Sequence, residues 1–287
     1  MDTNKRPVVV GIGELLWDML PGGKRAGGAP VNFVFHASQL GAEGYAISAV
    51  GCDPLGDEIL GELDQNGIGY CVERVADYPT GTVEVHLKDG IPTYRIVEGV
   101  AWDHIPLSVR SKEIISRADA VCFGTLAMRN PNSRHTLMAL LDNTRPNALR
   151  FFDINIRQHY FSEELIDQLL AKANVFKLND EELDMFKPMF GLSGDEDACC
   201  RQILQRYNLR YLVLTAGSRY SKIFAEGEMS VLPTPHVEVV DTVGAGDSFS
   251  GAFVASVLQG KSLAEAHRCA VDRAAFVCTR AGAWPKE

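Results

Sequence analysis

Short apolar runs alternate with amphipathic segments along nearly the whole chain, and this alternation restricts the fold more than any other feature. The runs are "PVVVGIG", "YAISAVG", "ADAVCFGTL", "ALRFFDINI", "NVFKLND" and "YLVLTAG". Most are continuously apolar, as strands buried on both faces are. Between them lie segments with helical spacing and caps. Phe33, Ala37 and Leu40 share one face before Gly41, and Leu55, Ile59 and Leu63 share another. Ser162 opens a helix with Glu163 and Glu164 in its first turn. Two apolar helices, around 247–258 and 263–279, end the chain. Repeated strand–helix units predict an α/β fold: a mostly parallel central sheet with helices on both faces.

The chain of 287 residues is 46% apolar, enough to bury one large core, and nothing in it marks a linker or a repeat. We read residues 1–287 as a single domain. The stretch "TGTVEVHLKDGIPTYRIV" breaks the alternation and predicts a hairpin turning at "KDGIP", a flap beside the core. Lysine and arginine number 28 and aspartate and glutamate 37, a net charge of −9. That balance opposes binding to nucleic acid or to an anionic membrane. A small anionic substrate stays compatible with it, because helix N-termini and a few placed cations hold phosphate in acidic proteins. Seven cysteines without CxxC or zinc spacing read as reduced thiols of a cytoplasmic protein. No apolar run reaches the length of a membrane span, and the first residues lack a signal-peptide core.

Four stretches carry polar residues where chemistry could reside. In "DTVGAGDSFSGAF", Gly244, Ala245 and Gly246 can turn tightly with free N–H groups at the start of a helix, with Asp247 at its mouth. The plain alternative is that Asp247 only caps the helix. In "GGAPVN", Asn32 offers two donors and an acceptor, which suits vicinal hydroxyls; the alternative is an ordinary turn. In "KLNDEEL", Asn179 and Glu182 at i, i+3 suit a hydrated Mg²⁺, or simply an acidic first turn. In "FFDINIRQ", Asp153, Asn155 and Arg157 alternate at the end of a strand, where ligands of open α/β sheets bind. Arg157 would there hold a polar or anionic substrate group or a surface ion pair. "GIGELL" lacks the third glycine of a dinucleotide fingerprint and is set aside.

Taken together and in this order, the motifs resemble the ribokinase-like (PfkB) family of sugar and nucleoside kinases, from about residue 8 to the end. "DTVGAGDSFSGAFV" matches the C-terminal pattern of that family throughout. "GGAPVNFVFHASQLG" matches the N-terminal one, except that Val34 stands where a small residue is usual. The resemblance implies a ribokinase-like fold with a small β lid from about 15–28 and 78–103. It implies an ATP-dependent sugar kinase using Mg²⁺. Asp247 would be the base, and the N–H groups of Gly244, Ala245 and Gly246 the anion hole. Asp18, Gly28 and Asn32 would bind the sugar, and Asn179 and Glu182 would organise Mg²⁺ and phosphates. Thr215 and Gly217 would lie in the nucleotide turn. That turn reads "TAGSRYS", with Tyr220 where the family has a second glycine. "GELLWD", "GGAPVNF", "FDINIRQ" and "AWD" look most like fructokinases. Acceptors such as ribose, 2-keto-3-deoxygluconate or a nucleoside stay open, as does a non-catalytic sugar sensor. The resemblance further implies a monovalent-cation (K⁺) site near Asp241. An open lid edge offers a surface for homodimer pairing.

Overall fold

A computed structural model describes residues 6–20, 22–88 and 91–286, with the backbone alone for 85–94. The elements run β1 (Val8–Ile12), β2 (Leu16–Leu20), β3 (Gly23–Gly27), α1 (Ala29–Gln39), β4 (Glu43–Gly51), α2 (Pro54–Gln65) and β5 (Gly69–Val75). Then come β6 (Gly81–Lys88), β7 (Ile91–Ile96), α3 (Val109–Ser116), β8 (Ala120–Phe123), α4 (Pro131–Asp142), β9 (Leu149–Asp153) and α5 (Glu163–Lys172). The last third holds β10 (Val175–Asn179), α6 (Asp180–Phe190), α7 (Glu196–Arg206), β11 (Tyr211–Thr215), β12 (Tyr220–Ala225) and β13 (Glu228–Pro233), followed by α8 (Ala245–Leu258) and α9 (Leu263–Cys278).

Nine strands form the central sheet in the order β13-β12-β11-β10-β9-β8-β1-β4-β5. From β11 to β5 every neighbouring pair is parallel. Only the β12 and β13 edge is antiparallel. All five residues of β1 and all four of β8 are buried, because helices cover both faces. Phe33, Ile59, Phe253 and Ala266 bring α1, α2, α8 and α9 onto one face. Ile114, Leu137, Leu169, Phe186 and Ile203 bring α3 to α7 onto the other. The expected mostly parallel α/β architecture is therefore present. Val34 is fully buried, and a Cβ on Gly44 would come within 2.5 Å of its Cγ1, so a glycine opposite makes room for the unusual branched residue.

A second sheet of four strands, ordered β3-β2-β6-β7, stands apart from the first. Its middle pair is parallel and its two outer pairs are antiparallel. The hairpin expected near 80–98 appears as β6 and β7, while its "DG" turn lies outside the described residues. Residues 101–104 form a 3₁₀ turn and are not part of this sheet. Trp102 there packs so closely on β6 that a Cβ at Gly81 would fall 2.3 Å from its Nε1. All seven cysteines are free thiols. No helix among the described residues is long and apolar enough to cross a membrane.

Candidate active site

Two helix starts, four strand ends and the small sheet border one cleft of about 540 Å³. Gly28 and Asn32 come from the start of α1, and Gly244, Gly246 and Asp247 from the start of α8. Glu14 follows β1, Leu126 follows β8, Asn155 and Arg157 follow β9, and Lys177 lies on β10. Asp18 and Arg25 reach in from β2 and β3. Two helix N-termini facing one cleft give it a positive field from the backbone alone.

Glycine is required at both helix starts. Gly28 has φ 120°, and a Cβ there would sit 2.2 Å from the Glu14 carbonyl oxygen. Gly244 has φ 77°, and a Cβ would meet the Ala283 Cβ at 2.7 Å. Of the three N–H groups expected free in this turn, Ala245 donates to Thr242 O at 3.2 Å. That bond closes the turn, so Gly244 and Gly246 are the two whose N–H groups have no acceptor among the described residues.

Asn32 does something its sequence position did not disclose. Its Nδ2 donates to Asp247 Oδ2 at 2.7 Å, and its Oδ1 accepts from Trp284 Nε1 at 2.7 Å. One N–H remains for a ligand. The C-terminal tryptophan thus locks the amide that holds the aspartate, and no motif pointed to it. Trp284→Phe leaves Asn32 Oδ1 without its donor in a buried setting, and about 1–3 kcal/mol of stability should go with it, read by urea unfolding. Burial, then the Asp153 charge, pushes the Asp247 carboxyl up to about 6, against the Asn32 bond and the Lys177 and Arg157 charges. Desolvation thus outweighs the dipole of the helix start, which by itself favours the ionised form.

Lys177 is the second residue that the motifs missed. It is 8% exposed and its Nζ donates to Asp153 Oδ2 at 2.7 Å. A Cβ on Gly246 would lie 3.3 Å from that Nζ, so the ammonium sits directly beneath the glycine turn. Burial works to lower its pKa, but the Asp153 carboxylate, aided by Glu182 and Asp247, holds it above the ordinary lysine value. A lone lysine inside "NVFKLN" was the available signal, since a charge in a buried strand demands a partner. The alternation read into "FFDINIRQ" does not hold. The strand ends at Asp153, Asn155 turns left-handed at φ 42°, and Asp153 is drawn inward by Lys177. Asn155 and Arg157 nonetheless reach the cleft from the loop.

On the small sheet, Asp18 lies opposite Arg25 across β2 and β3. Burial and the Asp241 charge raise the Asp18 pKa, while Arg157 and Arg25 oppose the shift. Arg25 Nη1 in turn donates to Asp241 Oδ2 at 3.1 Å, tying the small sheet to the loop before α8.

Asn179, Glu182, Thr215 and Gly217 do not line this cleft; they sit at the neighbouring strand ends. Asn179 and Thr215 are register partners at the ends of β10 and β11. Asn179 and Glu182 form a reciprocal capping box. Asn179 Oδ1 accepts from Glu182 N, Glu182 Oε2 accepts from Asn179 N, and Glu182 Oε1 accepts from Ile156 N at 2.9 Å. Glu182 is 7% exposed, so the solvated acidic turn is excluded, and it fastens the Arg157 loop to α6. Tyr220 needs no left-handed backbone: it opens β12, and Gly217 takes the positive φ of 54°. Its hydroxyl donates to Glu196 Oε2 at 2.9 Å. Asp103 of "AWD" lies away from this cleft, in a buried ion pair with Arg129 at 2.7 Å.

Known proteins are similar to this chain over nearly its whole length. Residues 21–286 match the model of the pfkB family carbohydrate kinases. A fructokinase of Rhizobium leguminosarum bv. trifolii is 27% identical, over 92% of this chain and 84% of its own. An ATP-dependent 6-phosphofructokinase of Thermoanaerobacterium thermosaccharolyticum is 28% identical, over 91% of this chain and 84% of its own. A sugar kinase from Pyrococcus horikoshii, solved in complex with ATP, superposes with a TM-score of 0.80 at 26% identity, covering 96% of this chain and 94% of that one. With a match that spans nearly the whole length and a superposition to agree with it, the chain belongs to the pfkB family of carbohydrate kinases.

Proposed function

We propose that this protein transfers the γ-phosphoryl group of ATP to a hydroxyl of fructose, with Asp247 as the base. The observation that carries the reading is one helix start. Asp247 is held by Asn32 at 2.7 Å beside the two unpaired N–H groups of Gly244 and Gly246. Phosphoryl transfer has a loose transition state, so the protein mainly positions reactants and stabilises charge. As the sugar oxygen bonds to phosphorus, its proton passes to the Asp247 carboxylate. The Gly244 and Gly246 N–H groups, the α8 dipole and Lys177 face the charge on the transferring group. Asp18, the Gly28 backbone, the free Asn32 N–H and Arg157 bind the sugar. Thr215 and Gly217 border the nucleotide.

A divalent cation, Mg²⁺ in this reading, neutralises phosphate charge when bound. The described residues offer no group of three or more His, Cys, Asp or Glu side chains to hold it directly. Asn179 and Glu182 already serve backbone N–H groups. These residues fit a cation carried by phosphate oxygens and water, with Asn179 and Glu182 ordering the turn around it. Around Asp241 the carboxylate is taken by Val243 N, Gly282 N and Arg25. A K⁺ site there would rest on backbone carbonyls, and assays with and without K⁺ test it.

Fructose is favoured by the fructokinase-like motifs and by the fructokinase among the relatives. The test is ADP release from Mg-ATP with fructose, fructose 6-phosphate, ribose, glucose, 2-keto-3-deoxygluconate and adenosine. Release with fructose at the highest kcat/KM is expected; a higher value for another acceptor corrects the substrate, and sugar binding without release points to a sensor. The raised Asp247 pKa gives the pH dependence its sign. The base form is lost as pH falls through about 6, so kcat/KM should fall tenfold per unit below that value. A flat profile down to pH 4.5 would exclude Asp247 as the base.

A further inference from the structure

A second cavity of about 10 Å³, room for a single water molecule, shares Glu14, Asn155 and Asp247 with the wall of the cleft. Asp153 and Thr125 complete its polar lining. Two of its three carboxyl groups each have one buried oxygen without a partner: Glu14 Oε2 and Asp153 Oδ1. Unpaired polar atoms are costly in such a place, and two of them in one cavity call for a common cause.

The charges around the cavity identify it. Asp153 has the Lys177 ammonium at 2.7 Å, and Asp247 has the Asn32 amide at 2.7 Å. Glu14 is 4% exposed, and its side chain has backbone N–H groups alone for company, that of Ala29 at 3.2 Å on Oε1 and its own. The charged groups facing it are Asp247 and, from the β9 loop, Arg157. The Cys122 thiol also lines the cavity, and its own pKa is pushed well up by burial. Burial first, and the Asp247 charge after it, raise the Glu14 carboxyl to about 7. Glu14 is thus the carboxyl that keeps its proton most readily. Since Oε1 accepts from Ala29, the proton belongs on Oε2, which makes the orphan a donor. Asp153 Oδ1 is an orphan acceptor.

We propose that one buried water accepts from Glu14 Oε2 and donates to Asp153 Oδ1, making Glu14 a positioning residue for Asp247. Ser250 Oγ, one turn beyond Asp247 on α8, donates to Gly246 O at 2.9 Å and also reaches Asp153 Oδ2 at 3.4 Å. The chain Glu14, water, Asp153, Ser250 therefore ties the end of β1 to the first turns of α8. The proton on Glu14 also leaves Asp247 as the carboxyl that bears the charge. This deepens the reading of Asp247 as the base and rests on it.

The water is tested apart from turnover by a high-resolution crystal structure. One ordered water within hydrogen-bond distance of both atoms is expected; a direct protein or sugar contact to Glu14 Oε2 in its place overturns the proposal. In kinetics, Glu14→Gln keeps a donor at this position and should retain most of its kcat. Glu14→Met offers none and should lose about 10²-fold in kcat with little change in sugar KM, its fold checked by thermal melting. Wild-type kcat should decline as pH rises above about 7, when Glu14 gives up its proton, and the Gln variant should not decline there. A Met variant with wild-type kcat, or a Gln variant with the same alkaline decline, overturns the proposal. Asp247→Asn, run alongside, separates the two readings: full activity there fails the base, whatever the Glu14 variants do.

Discussion

Asp247→Asn is expected to keep its fold and lose about 10³-fold in kcat, the middle of the range for removing a positioned general base. The amide has nearly the shape of the carboxylate, so the Asn32 contact at the Oδ2 position survives through the amide oxygen. What disappears is the lone pair that takes the hydroxyl proton. Sugar KM should change far less than kcat, because the groups that bind the sugar are separate side chains. The loss should also remove the acid limb of the pH profile, since the group titrating near 6 is gone. A variant that retains a tenth or more of wild-type kcat would show that the helix start only caps α8.

Lys177→Met should be the most destabilising single change at the site. It removes the ammonium that lies 2.7 Å from Asp153 and leaves that carboxylate, 4% exposed, without its ion partner. Breaking one partner out of a buried ion pair costs about 3–5 kcal/mol, because the remaining charge stays desolvated. Replacing both residues by apolar ones, Lys177→Met with Asp153→Leu, should recover most of that loss. The double variant should still lack activity, since the cation beneath the Gly246 turn is absent from it as well. Urea unfolding of the two variants decides the stability half. If the single variant unfolds at the wild-type urea concentration, the pair contributes no net stability and Asp153 has relaxed toward solvent.

The sequence disclosed those parts of the fold whose signal is local. The parallel strands were legible because burial on both faces makes them continuously apolar, as in "PVVVGI" and "AVCF". The β12 and β13 edge pair went unread because its residues alternate with Lys222, Glu228 and Ser230 and are half exposed. The glycine turn before Asp247 was legible because only glycine takes φ 77° against Ala283, whereas the use of the Ala245 N–H depended on the path of Thr242. Contacts between distant residues left no local trace. Asn32 and Asp247 are 215 positions apart, and Asn32 and Trp284 are 252 apart. The Asp153 loop was misread because a left-handed Asn155 ends the strand alternation, and asparagine is one of the few residues that does this readily. Lys177 and Glu14 were readable in principle, as isolated charges within or just after apolar strands, but they match none of the motifs that drew attention.

The most direct measurement is product analysis after mixing the protein with Mg-ATP and fructose, by mass spectrometry and ADP quantitation together, for the wild type and for Asp247→Asn. The account predicts one fructose phosphate formed for each ADP in the wild type and almost none of either in the variant. Fructose bound by the wild type with neither ADP nor a phosphorylated sugar formed, or equal product from both proteins, would contradict it.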